Sequence, residues 1–248
     1  MTEKSSIDKE ELNKFNKTYS EWWDKEGEFK TLHQINPVRI DYITSKIKQH
    51  FNISGTKKQL LNDFRLLDVG SGGGLISVPM CHLGAKVTGL DANQHNVKAA
   101  EFYAKEHKLN INYLNTTIEQ HVNSDKKYDI ILCLEVLEHV ANPIDFIANL
   151  SKLLVPGGLL IVSTINRTAK SYLLAIVGAE YVLRWVPVKT HNYAKFIKPS
   201  EMVQMSRTTD LRIEELKGLV FSILQQEWMI CDDIDVNYFA VFSKARAI

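Results

Sequence analysis

Cysteine is scarce in this chain: Cys81, Cys133 and Cys231 are the three in 248 residues, and no two form a Cys-x-x-Cys pair. That scarcity argues against a disulfide framework or a thiolate zinc site and leads us to expect reduced thiols in an intracellular protein. A dominant charge is lacking too. With 30 Lys and Arg against 29 Asp and Glu the formal net charge is +1. No global field draws nucleic acid, and no basic patch interleaved with aromatics appears, so nucleic acid is not expected as a partner. No run approaches the ~20 uninterrupted apolar residues of a spanning helix. The opening MTEKSSIDKEEL has neither the apolar run of a secretion signal nor the Arg/Ser bias of a transit peptide, so a cytoplasmic location is expected. Repeats and low-complexity tracts are absent as well. What remains is 45% hydrophobic and 24% charged residues, the balance of a globular protein long enough for one large α/β domain.

The chain changes rhythm near residue 64. Before it, Leu12, Phe15, Tyr19, Trp22 and Trp23 recur at close to helical spacing over Ile7 to Trp23, and Pro37 is read as opening a second helix toward Phe51. After it, short β-rich runs alternate with helical ones. Strands are expected at Arg65–Val69, Lys86–Asp91, Ile111–Leu114, Tyr128–Leu134 and Leu159–Thr164, with helices near Leu75–Leu83, Asn93–Lys108 and Pro143–Leu154. Such alternation implies a parallel sheet covered by helices on both faces. Beyond Thr164 the rhythm breaks into a long segment, about 166–198, and Leu211–Phe221 with Tyr238–Ser243 reads as an antiparallel ribbon. The organisation expected is a helical cap over residues 1–60, part of the same domain as 61–248, with one insertion at about 166–198.

Leu66-Leu67-Asp68-Val69-Gly70-Ser71-Gly72-Gly73-Gly74 is the most informative string. An apolar strand runs into four glycines and then a helix, which lets a ligand approach main-chain N–H groups closely. A dinucleotide fingerprint would need a third glycine at position 75, which is Leu75, and no Lys-Ser/Thr ending marks a phosphate loop. An adenosyl ligand without phosphates fits better. Asp91 ends the second strand 21 positions after Gly70, where a carboxylate can accept both ribose hydroxyls; the plainer reading makes it the cap of the next helix. The fourth strand ends in Leu132-Cys133-Leu134, whose side chains can pack on the ligand's apolar parts.

DVGSGGG, VTGLD, YDIILCLEVLEHV and LLVPGGLLIVST together resemble the motif series of class I S-adenosylmethionine methyltransferases. The flanking strings are more specific. EWWDKEGEFKTLHQINPVRIDYI, STINRTAKSYLLAIVGAEYVLRWVP, THNYAKFIKPSE and DVNYF resemble the ubiquinone biosynthesis O-methyltransferase family, from about Phe15 to Phe242. One departure is Ser71, where the family has cysteine. The resemblance implies a Rossmann-like α/β fold with a seven-stranded, mostly parallel sheet flanked by helices. It also implies S-adenosylmethionine as cofactor, and a phenolic hydroxyl of a polyprenylated phenol or quinol as acceptor in both O-methylations of the ubiquinone route. Arg39, Gly70, Asp91 and Leu134 match the family's cofactor positions, and Gly72 belongs to the same loop; Arg39 is expected on the cofactor's carboxylate. Other proteins of that route are expected as partners.

For the chemistry, a phenol of pKa ~10 must lose its proton near neutral pH, with a base or a metal to help. Glu135-Val136-Leu137-Glu138-His139 follows the fourth strand, where open α/β sheets place reactive groups. In an α-helical turn Glu135, Glu138 and His139 share one face. The resemblance implies that they hold magnesium, although a histidine is unusual in that ion's shell. A second reading makes His139 a general base oriented by Glu138; a third makes the acids a solvated helix start. The acceptor itself leaves alternatives: a catechol outside quinone biosynthesis, or no catalysis at all in a cofactor-binding subunit. Residues 172–187, YLLAIVGAEYVLRWVP, place an apolar run with aromatics between Arg167, Lys170, Lys189 and Lys195. That arrangement suits a segment lying on an anionic membrane surface, peripherally on its inner face, or a buried cover of the active site.

Overall fold

The computed structural model describes residues 19–54, 60–182, 192–222 and 224–246. Five strands run parallel: β1 (Arg65–Val69), β2 (Lys86–Asp91), β3 (Asn112–Asn115), β4 (Tyr128–Leu134) and β5 (Leu154–Ile165). Three antiparallel strands finish the sheet: β6 (Leu211–Ser222), β7 (Glu227–Cys231) and β8 (Asn237–Lys244). The order is β3-β2-β1-β4-β5-β8-β6-β7, the Rossmann-like arrangement expected of the βα alternation. The helices are α1 (Tyr19–Trp23), α2 (Lys30–Phe51), α3 (Ser77–His82), α4 (Gln94–Glu106), α5 (Ile118–His121), α6 (Pro143–Leu153), α7 (Ala169–Ser171) and α8 (Pro199–Ser206).

Strands covered on both faces must be apolar on both, which is why RLLDV and YDIILCL show no alternation. Successive side chains serve opposite layers. Leu66, Ile130 and Leu132 pack with Ile43 and Ile47 of α2 and Met80 of α3. Leu67, Ile131 and Cys133 pack with Ile147 and Leu150 of α6 and Met202 of α8. At ~25 cal/mol per Å² of apolar surface withdrawn from water, these two layers are the main source of stability. They also fix the register of β1 against β4, pairing Val69 with Cys133.

Several boundaries depart from the sequence reading. The sheet has eight strands rather than seven; β7 is a partly exposed edge strand without the alternation that would reveal it. β5 begins at Leu154 instead of Leu159 and carries Pro156-Gly157-Gly158 inside it, with a register shift between Tyr128 and Ile130 on β4. Pro37 does not open a helix but stands within α2, where it supplies no N–H to the carbonyl four residues back. The insertion contains α7, a π-type helix over Tyr172–Val182 and a 3-10 turn at Tyr193–Lys195. Trp185, Lys189 and His191 lie outside the described residues, as do residues 1–18 of the predicted cap helix. Among the described residues no helix is long and apolar enough to cross a membrane.

Candidate active site

β1 and β4 are neighbours, while β2 and β3 continue to one side and β5 to the other. The strand order reverses there, and open sheets offer their ligand crevice at such a point. The loop after β1 and the turn after β4 meet across it. Gly70 has φ 73°, and a Cβ on it would lie 2.3 Å from Cγ2 of Val136, so any other residue there would be both strained and blocked. The N–H groups of Gly70 and Ser71 both donate to the Leu90 carbonyl, at 2.8 and 2.9 Å. This folds the glycine loop onto the end of β2.

Asp91 stands at that end. Its Oδ1 accepts the Asn93 N–H at 2.7 Å, and its Oδ2 accepts the Gly72 N–H at 2.9 Å and the Asn96 amide at 3.4 Å. Burial pushes the carboxyl up, and these donors pull it back. The cap of α4 is Asn93, whose side chain accepts from the His95 N–H, so Asp91 is released from the capping role that sequence allowed. Leu134 is half-buried at the end of β4, two strands from Asp91.

Beyond Leu134 the backbone turns sharply. Glu135 has φ 54°, a left-handed conformation uncommon outside glycine and concentrated at functional sites. Leu137–His139 is then a 3-10 turn rather than an α-helix. Glu135, Glu138 and His139 therefore do not share the α-helical face expected of them. The Glu135 carboxylate is already engaged: Oε1 accepts from Arg39 at 3.3 Å and the Ser163 hydroxyl at 2.7 Å, and Oε2 from Asn237 at 3.3 Å. Among the described residues no three His, Cys, Asp or Glu side chains are placed to hold a metal ion. With both Glu135 oxygens already engaged, the donor set as placed does not fit magnesium.

Glu138 is 3% exposed. Its Oε2 accepts the Thr164 hydroxyl at 2.7 Å, while Oε1 has no hydrogen-bond partner among the described residues. Burial and the nearby charge of Glu135 push it to about 7, against the opposing pull of His139 and the Thr164 bond. Such a shift at a crevice marks a group suited to proton transfer. Arg39 comes from α2 and is 5% exposed. Burial pushes it down and the carboxylates of Glu135 and Glu138 push it back up; its Nε has no acceptor among the described residues. Ser163, Thr164 and Asn237 were not foreseen. Their signal was the polar end of LLIVST and the asparagine of DVNYF, which β5–β8 pairing places side by side.

The chain matches the methyltransferase domain family over residues 67–162. It is 51% identical over 243 residues to the ubiquinone biosynthesis O-methyltransferase of Rickettsia akari (strain Hartford), covering 98% of this chain and 94% of that protein. Against the protein of the same name from Rickettsia felis (strain ATCC VR-1525 / URRWXCal2) the identity is 52% over 235 residues, covering 95% and 93%. Among solved structures, the magnesium protoporphyrin IX methyltransferase of Synechocystis PCC 6803 with bound SAM superimposes with a TM-score of 0.62 at 17% identity, over 98% of this chain and 100% of that one. The plantazolicin methyltransferase BpumL with SAH gives 0.64 at 18% identity, over 95% and 96%.

Proposed function

The chain belongs to the ubiquinone biosynthesis O-methyltransferase family, and from that premise we propose that it transfers a methyl group from S-adenosylmethionine to a phenolic hydroxyl of polyprenylated ubiquinone precursors. The observation that carries this reading is Glu138, buried and raised to about 7 in the turn whose Val136 meets the glycine loop at the strand-order reversal. Within the N-terminal region the described helices α1 and α2 serve as a cap of the same domain as 61–248.

The crevice fits an adenosyl ligand without phosphates. Gly70 and Gly72 give close approach to the backbone, Asp91 takes the ribose hydroxyls, and Leu134 packs on the apolar part of the ligand. Arg39 takes the carboxylate of the methionine moiety, its Nε–H having no other acceptor among the described residues. S-adenosylmethionine when bound supplies an electrophilic methyl on a sulfonium, and alignment with the acceptor can remove ~7–11 kcal/mol of barrier. The protein's other task is to deprotonate the acceptor. His139 takes the phenolic proton, and Glu138, beside it in the chain and short of one hydrogen bond, holds the resulting imidazolium. Glu135 keeps Arg39 in place through the contacts it shares with Ser163 and Asn237.

The polyprenyl tail explains the insertion. Tyr172, Leu173 and Leu174 are 46%, 59% and 54% exposed, an apolar strip that suits contact with a membrane from which such a substrate is drawn. Arg167 pairs with Glu201, and Lys170 with Asp233 and Asp235. Those two cations are thus neutralised, and the strip binds mainly by apolar burial. Flotation tests it: the native chain rises with vesicles and Leu173→Glu plus Leu174→Glu does not. A native chain that stays down with both anionic and neutral vesicles overturns the membrane reading.

The reaction is tested with labelled cofactor and two acceptors, a short-chain prenylated catechol and an unprenylated one. Methylation of the prenylated ring at higher kcat/KM is expected. Equal or better use of the plain catechol would favour an acceptor outside quinone biosynthesis.

A further inference from the structure

Trp22 is 7% exposed and lies flat on Phe29, with ring centroids 4.0 Å apart and planes at 6°. Its ring also presses on the glycine loop. A Cβ built on Gly72 would be 2.6 Å from Cη2 of Trp22, and one on Gly73 2.3 Å from its Cγ. The Trp22 carbonyl accepts from the His33 ring at 3.0 Å, and the neighbouring Trp23 donates its indole N–H to the Gly73 carbonyl at 3.0 Å. The cap is therefore seated on the loop through both tryptophans.

One contact reaches further. Trp22 donates its indole N–H to Oδ1 of Asn96 at 3.3 Å, and Asn96 donates its amide to Oδ2 of Asp91 at 3.4 Å. Asn96 is 4% exposed, so water offers it little alternative. An asparagine amide carries an acceptor and a donor that exchange places on a half-turn, whereas an indole only donates. The indole N–H thus pins the amide oxygen on its own side and sends the NH₂ toward Asp91. Turned over, Asn96 would set its oxygen against the carboxylate.

We infer that Trp22 is a positioning residue for the cofactor's ribose: through Asn96 it holds the Asp91 carboxylate in the orientation that accepts the ribose hydroxyls. This rests on the reading of Asp91 as the ribose acceptor. The test compares, by calorimetry on the full chain, S-adenosylhomocysteine with its 2′-deoxyribose counterpart. The native protein should favour the ribose form by about tenfold. In Trp22→Phe, which keeps a ring on Phe29 but has no N–H, the preference should shrink to about threefold or less, and Asn96→Leu should do the same from the helix side. The double variant should lose no more than either alone. Equal weakening of both ligands with the preference retained would overturn the inference and leave Trp22 a packing residue. A native protein indifferent to the deoxy change would instead overturn the Asp91 reading itself. Should Trp22→Phe not fold, Asn96→Leu decides by the same ratio.

Discussion

Asp91, half-buried, and Glu138, buried, are two carboxylates on either side of β1, treated in opposite ways. Asp91 receives three donors, two of them backbone N–H groups. Among the described residues Glu138 receives one side-chain donor, keeps an oxygen without a partner and feels the charge of Glu135. Desolvation acts on both. What separates them is how far the fold has answered it with hydrogen bonds. A group that must bind neutral hydroxyls gains from being charged and fixed beforehand. A group that must take part in proton transfer gains from being left near the balance point. The crevice is thus divided into a preorganised half and a reactive half, with the glycine loop against Val136 as the seam.

The comparison breaks most readily through turnover. Glu138→Gln with His139→Ala should lower kcat by roughly 10²–10⁴, the usual worth of positioned acid–base groups, while cofactor affinity stays within about threefold. Asp91→Ala should do the reverse. Losing a charged acceptor costs ~1.5–3 kcal/mol, so affinity should fall about tenfold or more in calorimetry, with the fold retained. If either variant moves affinity and kcat together, the two halves are not separate.

Much of the binding half could be read from the chain. β1, β2 and β4 lie at the predicted residues, because unbroken apolar runs between glycine-rich and helical segments leave few other ways to bury them. Gly70, Gly72 and Asp91 follow as candidates from spacing on those strands, and the structure brings the Gly72 N–H onto the Asp91 carboxylate. The reactive half was harder. Its turn was read as α-helical from i, i+3, i+4 spacing, but Glu135 adopts a left-handed conformation that local pattern does not announce. Ser163, Thr164 and Asn237 come from β5 and β8, which are far apart in sequence and joined only by the sheet. Arg39 reached the site by family resemblance; on its own it is one charge on an amphipathic helix. The role of Trp22 stayed hidden for a related reason, since an aromatic at helical spacing looks like core packing whether or not its N–H is used.

The smallest expected effect sharpens the comparison without any ligand. The Glu138 carboxyl lies at about 7 in the folded chain against an ordinary value of 4.5. Its folded pKa is raised, so the native state holds the proton more tightly than the unfolded chain. As pH climbs from about 4.5 toward 7 the unfolded chain gives up its proton first. Stability contributed by the protonated form is therefore present below that window and lost across it. Glu138→Gln keeps the shape and removes the charge, so it should be near neutral at pH ~4.5 and stabilising at pH ~8. Water entry and relaxation offset part of the full linkage, which leaves a gain of about 1 kcal/mol, or roughly 2–4 °C for a domain of this size. Asp91→Asn should show a smaller pH-dependent change in the same direction, because burial raises that carboxyl too but three donors pull it back. Thermal melts of both variants at the two pH values check the contrast. Shifts of equal size would mean that hydrogen bonding does not distinguish these carboxylates, and the division of the crevice would lose its physical basis.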